Sequence, residues 1–207
     1  MLRPPAPVDA EALQEVLQPF GHSRMLPRAA YVDDAVLAWE RQWFFDDGWV
    51  CAGRVAELAE PGDQRAVKIG STGVLVVRGS DGELRAFANI CRHRGHELLA
   101  CGASANRGVI QCPYHAWSYE LDGRLRLAPR FDGAQNFDPS EFPLSPVRSE
   151  EWGGWLFVNV SGGAPALSEV LGTLADVVAP YECERLVPAA THTYTCLLYT
   201  SDAADEA

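Results

Sequence analysis

The sequence has little basic charge and no long apolar run. Lysine and arginine together number 17 against 28 acidic residues, which gives a formal net charge of −11. Proteins that bind nucleic acids or anionic lipid surfaces carry basic patches, so we expect neither a nucleic acid nor a membrane as a partner. No apolar stretch approaches the roughly 18 residues that read as a transmembrane helix. The first residues, MLRPPAPVDAEALQ, lack a basic region followed by an apolar one and do not resemble a secretion signal, so we expect a cytoplasmic protein.

The composition indicates a folded domain with reduced cysteines. The chain has 207 residues, of which 47% are apolar and 10% aromatic, and this excludes a wholly disordered, collagen-like or coiled-coil chain. Six cysteines in a cytoplasmic protein favour metal or redox chemistry over a disulfide framework. Cys51 lies in a strand-like run and is expected to be a buried thiol, and Cys183 is expected to be structural.

Short apolar runs separated by turn sequences predict a mainly β fold with flanking helices. The turns include PGD at 61–63, SDG at 80–82 and LDG at 121–123. Many short strands with regular turns are typical of an antiparallel β-sandwich domain. The predicted strands are 49–55, 65–69, 74–77, 84–89, 109–111, 117–120, 124–127 and 155–160.

Helical spacing predicts three helices outside the strands. The first runs over 9–18 with Asp9 as its N-cap, and the second over 33–46 with Asp33 or Asp34 as its cap. The third runs over 168–181 with Ser168 as its cap.

Two short motifs carry the chemistry. Cys91-Arg92-His93 is followed, after eighteen intervening residues, by Cys112-Pro113-Tyr114-His115. Each motif offers one thiolate and one imidazole from a tight loop. A [2Fe–2S] cluster with two cysteines on one iron and two histidines on the other needs these four ligands. A tetrahedral zinc ion could use the same set, and a chance pairing of structural residues is the third interpretation.

The pair CRHRG and CPYHAW resembles the Rieske family. The similarity is closest to the N-terminal domain of the α subunit of Rieske non-haem iron aromatic ring-hydroxylating oxygenases. It extends over about 25–195 and is strongest over 84–127, with SRMLPRAAYVDD, WFFDDGWVCAGR and EEWGGWLFVNV as further matching segments. Family members usually have glycine where this chain has Ala116.

The resemblance implies a ligand set. Cys91 and Cys112 would hold the inner iron of a [2Fe–2S] cluster, while His93 and His115 would hold the outer iron nearest to solvent. Gly95 would allow a close approach of the backbone to the cluster sulfurs.

The residues beside the ligands also have expected roles, which follow from their positions next to the motifs. Arg92 and Arg94 would form a docking patch for an acidic electron donor or stabilise their loop, and His96 would lie near the cluster without binding it. High-potential Rieske proteins have two cysteines, which form a disulfide, where His96 and Tyr114 stand, and a hydrogen-bonding serine where Trp117 stands. Fewer hydrogen bonds to sulfur imply a low reduction potential.

For the whole protein the resemblance implies an oxygenase subunit. A ferredoxin or flavin reductase would supply electrons, and a mononuclear non-haem Fe(II) would activate O₂ in a catalytic domain that follows the Rieske domain. The family includes aromatic and quaternary ammonium substrates, and the subunit is expected to form homo-oligomers. Outside the motifs only His22, His96 and His192 remain, and none lies in a pattern typical of a two-histidine, one-carboxylate iron site, so this fragment is expected not to hydroxylate. A stand-alone Rieske ferredoxin is the alternative, and a zinc-binding module is the second.

The expected organisation has four parts. Residues 1–48 form a helical extension, 49–160 the Rieske domain, and 161–195 a helix and the start of the missing catalytic domain. The segment CLLYTSDAADE at 196–206 resembles a translated sequencing adapter, so 196–207 are left out of fold reasoning.

Overall fold

The computed structural model describes residues 3–131, 133–187, 189–190 and 192–194. Ten strands lie in these residues, and every named pair is antiparallel. The strands are β1 (Val50–Arg54), β2 (Asp63–Ile69), β3 (Thr72–Arg78), β4 (Leu84–Ala88), β5 (Ser104–Asn106), β6 (Ile110–Gln111), β7 (Ser118–Tyr119), β8 (Leu125–Leu127), β9 (Pro146–Trp152) and β10 (Trp155–Asn159).

The strands form one large and one small sheet. Seven of them pair in the order β1-β10-β9-β4-β3-β2-β5, and the other three pair in the order β6-β7-β8. The predicted fold class, mainly β with antiparallel pairing and flanking helices, is confirmed.

Strand β3 explains why the large sheet has an apolar core on each face. Its central residues read Val-Leu-Val-Val, and all four are buried. Since side chains alternate along a strand, Val74 and Val76 share one face while Leu75 and Val77 share the other. The first face packs against β10, and the second packs against the small sheet and the loops that carry the two cysteine motifs.

The eight predicted strands are present with ends shifted by one or two residues, and two strands were missed. Strand β5 has only three residues, too few for a periodic pattern. Strand β9 reads PVRSEEW, and only Val147 among its residues is buried, so its polar sequence gave no strand signal. It pairs with β10 and β4 and so joins the two halves of the large sheet.

The helices differ from prediction mainly in their lengths. Helix α1 (Ala10–Val16) has the predicted Asp9 cap, and a short α2 (Ala29–Val32) was not predicted. Helix α3 (Asp34–Glu40) is capped by Asp33 and continues as a π-helix over Arg41–Asp46.

The predicted helix over 168–181 is wrong as a single element. It consists of α4 (Leu167–Leu171) and α5 (Leu174–Val178), because Gly172 has φ +51° and ends the first of them. Ser168 is not the cap; Ala166 occupies that position, and the Leu167 N–H donates to Glu150 Oε2 instead.

Cys51 is exposed, so the prediction of a buried thiol is wrong. It lies on β1, the edge strand of the large sheet, next to a bulge between Cys51 and Gly53 that alters the alternation of side chains. Across the described ranges, no helix combines the length and apolar character needed to span a bilayer. The segment 196–207, which resembles an adapter, lies outside the described residues.

Candidate metal centre

The two motifs lie on two loops beside the small sheet. The first loop follows β4 and is closed by a bridge between Ile90 and Glu97. The second loop connects β6 to β7, whose two residue pairs hold its ends together. The antiparallel pairing of short strands therefore presents both cysteine–histidine pairs at one end of the domain.

The two loops have the same backbone frame. The Cys91 N–H donates to the His96 carbonyl at 2.8 Å, and the Cys112 N–H donates to the Trp117 carbonyl at 2.8 Å. In both loops the backbone N–H of the cysteine is therefore hydrogen-bonded to the carbonyl of the residue five positions later. This shared hydrogen-bond pattern fixes both thiols at the base of their loops.

Each loop needs a left-handed residue at its fifth position. Gly95 has φ +72° and Ala116 has φ +58°, and the N–H of each donates to its cysteine carbonyl at 2.9 and 3.1 Å. Glycine adopts this conformation freely, whereas alanine is strained in it. Ala116, which stands where family members usually have glycine, therefore has a strained backbone conformation.

The four predicted ligands lie at two depths. Cys91 and Cys112 are 2% and 3% exposed, His93 is half-buried, and His115 is exposed. The two imidazole rings are 4.9 Å apart between centroids and nearly perpendicular. Two thiols therefore lie beneath two imidazoles, with the imidazoles nearer to solvent.

The electrostatics of the two thiols favour a cationic occupant. Burial raises the pKa of the Cys91 thiol, and the neighbouring Cys112 raises it further, although a hydrogen bond from Tyr119 opposes the shift. A pair of buried thiolates therefore needs nearby positive charge, which iron supplies. Burial, with smaller contributions from His115 and Arg94, lowers the pKa of His93 and favours the neutral imidazole that binds metals.

Tyr119 on β7 was missed by the sequence analysis. Its hydroxyl oxygen accepts the Arg92 N–H at 3.0 Å and lies 3.2 Å from Cys91 Sγ, so its own proton is free to donate to the sulfur. It is fully buried. The expectation that few side chains donate to sulfur here therefore has one exception. The available signal was an aromatic residue two positions after Trp117, which places both side chains on the same face of the strand predicted over 117–120.

The buried indole nitrogen of Trp117 indicates whether the site fits a cluster. The indole is 2% exposed, and its Nε1 has no hydrogen-bond partner among the described residues. A buried N–H beside the ligand loops is explained most simply by an acceptor that is not part of the polypeptide. Together with two thiols and two imidazoles, this donor set fits a [2Fe–2S] cluster.

The other predicted neighbours surround the histidines at the surface. Arg92 and Arg94 are exposed, and neither forms an ion pair with any described residue. Tyr114 is 57% exposed, and its ring centroid lies 3.8 Å from that of His115. His96 donates from Nδ1 to the Glu97 carbonyl at 2.7 Å. Their roles around a cluster stay predictions.

The donors are arranged in pairs rather than around one point. In the described part of the chain, no three His, Cys, Asp or Glu side chains converge as ligands of a single metal ion. A bridged two-iron cluster needs only two protein ligands for each iron.

Comparisons with known proteins agree with this geometry. The family model of the Rieske [2Fe-2S] domain matches residues 48–138. The oxygenase subunit of carnitine monooxygenase from Acinetobacter baumannii is 38% identical over 150 residues, which cover 72% of this chain and 40% of that protein. The oxygenase subunit of glycine betaine monooxygenase from Pseudomonas aeruginosa is 36% identical over 175 residues, which cover 84% of this chain and 40% of that protein.

Solved structures give the same relationship. A quaternary ammonium Rieske monooxygenase in complex with L-carnitine matches with a TM-score of 0.72 and 36% identity, over 79% of this chain and 47% of that one. Naphthalene 1,2-dioxygenase from a Rhodococcus species matches with a TM-score of 0.70 and 29% identity, over 79% and 38% of the two chains. The chain thus spans about 40% of the length of the curated relatives cited here. It contains a Rieske [2Fe-2S] domain of the kind found in the oxygenase subunits of Rieske monooxygenases and dioxygenases.

Proposed function

We propose that Cys91, His93, Cys112 and His115 hold the [2Fe–2S] cluster and that the domain transfers one electron at a time. The observation that carries the proposal is the placement of two buried thiols beneath two imidazoles on loops of equivalent backbone geometry. When bound, the cluster supplies reversible one-electron chemistry. The chain supplies the rest: the loop frames position the ligands, the apolar core excludes water from the thiol side, and the imidazoles face solvent.

We propose further that the electron donor docks at the solvent-facing side of this site, where the two imidazoles lie. His93, Tyr114, His115 and Arg94 line one groove together with Arg130, which has φ +69°. Neither Arg94 nor Arg130 is ion-paired with a described residue, in a chain whose net charge is −11. Unpaired guanidinium groups beside exposed imidazoles suit an acidic partner and accelerate its association. A ferredoxin or flavin reductase with an acidic surface fits this description.

For the whole protein we propose an oxygenase subunit. The mononuclear iron that activates O₂ would lie in the part of the relatives' length that this chain does not cover. We expect a homo-oligomer, supported by the description of inter-subunit electron transfer in a related quaternary ammonium Rieske monooxygenase.

We propose a small quaternary ammonium compound as the substrate class of that whole protein. Carnitine, glycine betaine and choline monooxygenases are among the relatives, at 35–38% identity over 70% or more of this chain. Naphthalene dioxygenase structures match at 29–30% identity, which supports an aromatic substrate less well. The test is turnover of the whole subunit with carnitine, glycine betaine, choline and naphthalene. Oxidation of naphthalene alone would contradict the proposal.

The cluster itself is tested on the chain as it stands. Purified protein should be red-brown, hold two iron atoms and two acid-labile sulfides, and give a reduced electron paramagnetic resonance (EPR) spectrum with a low average g value. Cys91→Ser and Cys112→Ser should each abolish the cluster, since metal binding stabilises the folded loops. Cys51→Ser and Cys183→Ser are the matched controls and should keep it. Stoichiometric zinc without iron would overturn the proposal, and a colourless Cys51→Ser variant would overturn the ligand set.

A further inference from the structure

Trp117 belongs to one ligand loop by its backbone and to the other by its side chain. Its carbonyl accepts the Cys112 N–H and so closes the second loop. Its indole crosses to the first loop and stacks on the His93 imidazole, with 4.9 Å between ring centroids and 10° between the planes.

A second aromatic ring confines the same imidazole from the side. Phe131 is edge-on to His93 at 5.8 Å and edge-on to Trp117 at 5.2 Å. Phe137 and Phe142 pack against Trp117 at 5.8 and 5.9 Å. Because protein interiors are close-packed, a ring surrounded in this way has little freedom to rotate. The indole is therefore a fixed surface for His93.

The His115 imidazole is held much less firmly. It is exposed, and its ring neighbours are the His93 imidazole and the ring of Tyr114, which is itself 57% exposed. The two predicted histidine ligands thus differ in their surroundings: one contacts the buried Trp117 and the partly buried Phe131, and the other contacts the exposed ring of Tyr114.

We propose that Trp117 is a positioning residue for the cluster, acting through His93. The stacked indole fixes the plane of the His93 imidazole, while His115 stays free to adjust to a docking partner. Groups that orient a ligand ring determine how the ligand interacts with its metal. This inference rests on the proposed function, because it takes His93 and His115 as ligands of one iron.

The orienting effect on His93 comes from the face of the indole, whereas its Nε1–H is left for an acceptor outside the polypeptide. Nε1 has no hydrogen-bond partner among the described residues, so replacing the indole by a phenyl ring removes no hydrogen bond within them. A phenyl ring still offers a flat apolar surface to the imidazole. Trp117→Phe should therefore restore the orientation of His93 that Trp117→Ala loses.

The test measures the histidine nitrogens directly. The chain is labelled with ¹⁵N-histidine, loaded with iron and sulfide, reduced, and studied by electron–nuclear double resonance. Trp117→Ala should broaden the distribution of one of the two ¹⁵N couplings and leave the other sharp. It should also accelerate loss of the cluster to a chelator by about tenfold, the effect of losing one aromatic pair. Trp117→Phe should restore the sharp couplings and should lose the cluster more slowly than Trp117→Ala.

Phe142→Ala is the matched control. It removes a ring that packs against the far side of Trp117 and has no ring contact with His93. If Trp117 only fills the core, Phe142→Ala and Trp117→Ala will affect the couplings alike, and this result would overturn the proposal. Unchanged couplings in Trp117→Ala would also overturn it.

A second variant covers failure of Trp117→Ala to fold. Trp117→Leu keeps an apolar side chain in the core but removes the flat surface on which the His93 ring stacks, so it should broaden the same coupling. Sharp couplings in that variant would then refute the proposal. Failure of the unmodified chain to take up iron and sulfide is a separate result, since it refutes the proposed function on which the positioning role depends.

Discussion

At the scale of single residues, the groups around the thiols determine the reduction potential. Tyr114 and Trp117 stand where high-potential Rieske proteins have a cysteine and a serine, so a disulfide and a hydroxyl donor are both replaced. We therefore predict a midpoint potential near the low end of the Rieske range, about −150 mV. Potentiometric titration followed by visible absorption measures it. A strongly positive midpoint would contradict this prediction.

Tyr119 is the side chain that we expect to raise that potential. Its hydroxyl lies 3.2 Å from Cys91 Sγ, and a donor to sulfur stabilises the more negative, reduced state. Tyr119→Phe should lower the midpoint by about 20–60 mV, the equivalent of one hydrogen bond in a one-electron couple. Tyr181→Phe, which alters an exposed ring, is the control and should leave the potential unchanged. Equal potentials for all three proteins would show that no such bond is made.

Ala116 is the residue at which the loop can be improved. Its φ of +58° strains an alanine, and the equivalent position in the other loop is Gly95. Ala116→Gly should stabilise the protein by about 0.5–1 kcal/mol, because relief of strain exceeds the entropy that glycine adds to the unfolded chain. Chemical denaturation measures the change. Ala175→Gly, in the exposed part of α5, should have the opposite sign, and a loss of stability at both positions would contradict the argument.

At the scale of elements, Asn89 braces the first ligand loop. It is 2% exposed and lies just after β4, where its side chain pairs with the backbone of Leu99 at the far end of the loop. Its Nδ2 donates to the Leu99 carbonyl at 2.6 Å, and its Oδ1 accepts the Leu99 N–H at 3.1 Å. The side chain therefore makes the two hydrogen bonds with the Leu99 backbone that a neighbouring strand would make in a sheet.

Asn89→Ala should destabilise the protein by about 2–4 kcal/mol, since it breaks both bonds and leaves two partly buried backbone groups without partners. Cluster loss to a chelator should accelerate as well. Asn106→Ala is the matched control: Asn106 also makes two side-chain hydrogen bonds, but it is exposed on β5 and lies outside both loops. Its effect should stay within about 0.5 kcal/mol. Comparable losses in the two variants would show that Asn89 has no special role.

The elements also show which signals the sequence carried. Strands such as β3 were predictable because apolar runs and turn sequences are local, and the ligand spacing was visible for the same reason. Strand β9 was missed because its polar side chains are partly covered by pairing with β10 and β4, which no local pattern records. The contacts of Tyr119 and Asn89 with the first loop cross 28 and 10 residues of sequence, so only the folded chain brings them together.

At the scale of the whole molecule, charge is distributed unevenly between the cluster end and the rest. The net charge is −11, yet Arg92, Arg94 and Arg130 surround the imidazoles without ion pairs to described residues. An acidic donor is then repelled by the net negative charge of the chain and attracted to the end where we propose that electrons enter. Association should therefore weaken as salt rises.

The chain as a whole should accept electrons and hydroxylate nothing. Activation of O₂ needs an iron with open coordination positions, typically held by two histidines and a carboxylate. Among the described residues no three such donors converge, and an iron held by His93 and His115 in a [2Fe–2S] cluster would have no open position for O₂. Reduced protein exposed to oxygen should reoxidise slowly and yield superoxide or peroxide. The measurement is donor-driven turnover with labelled oxygen on carnitine, glycine betaine, choline and naphthalene. We expect the cluster to cycle between its two redox states while none of the substrates takes up labelled oxygen. Label in any organic product would reveal a second iron site within these 207 residues.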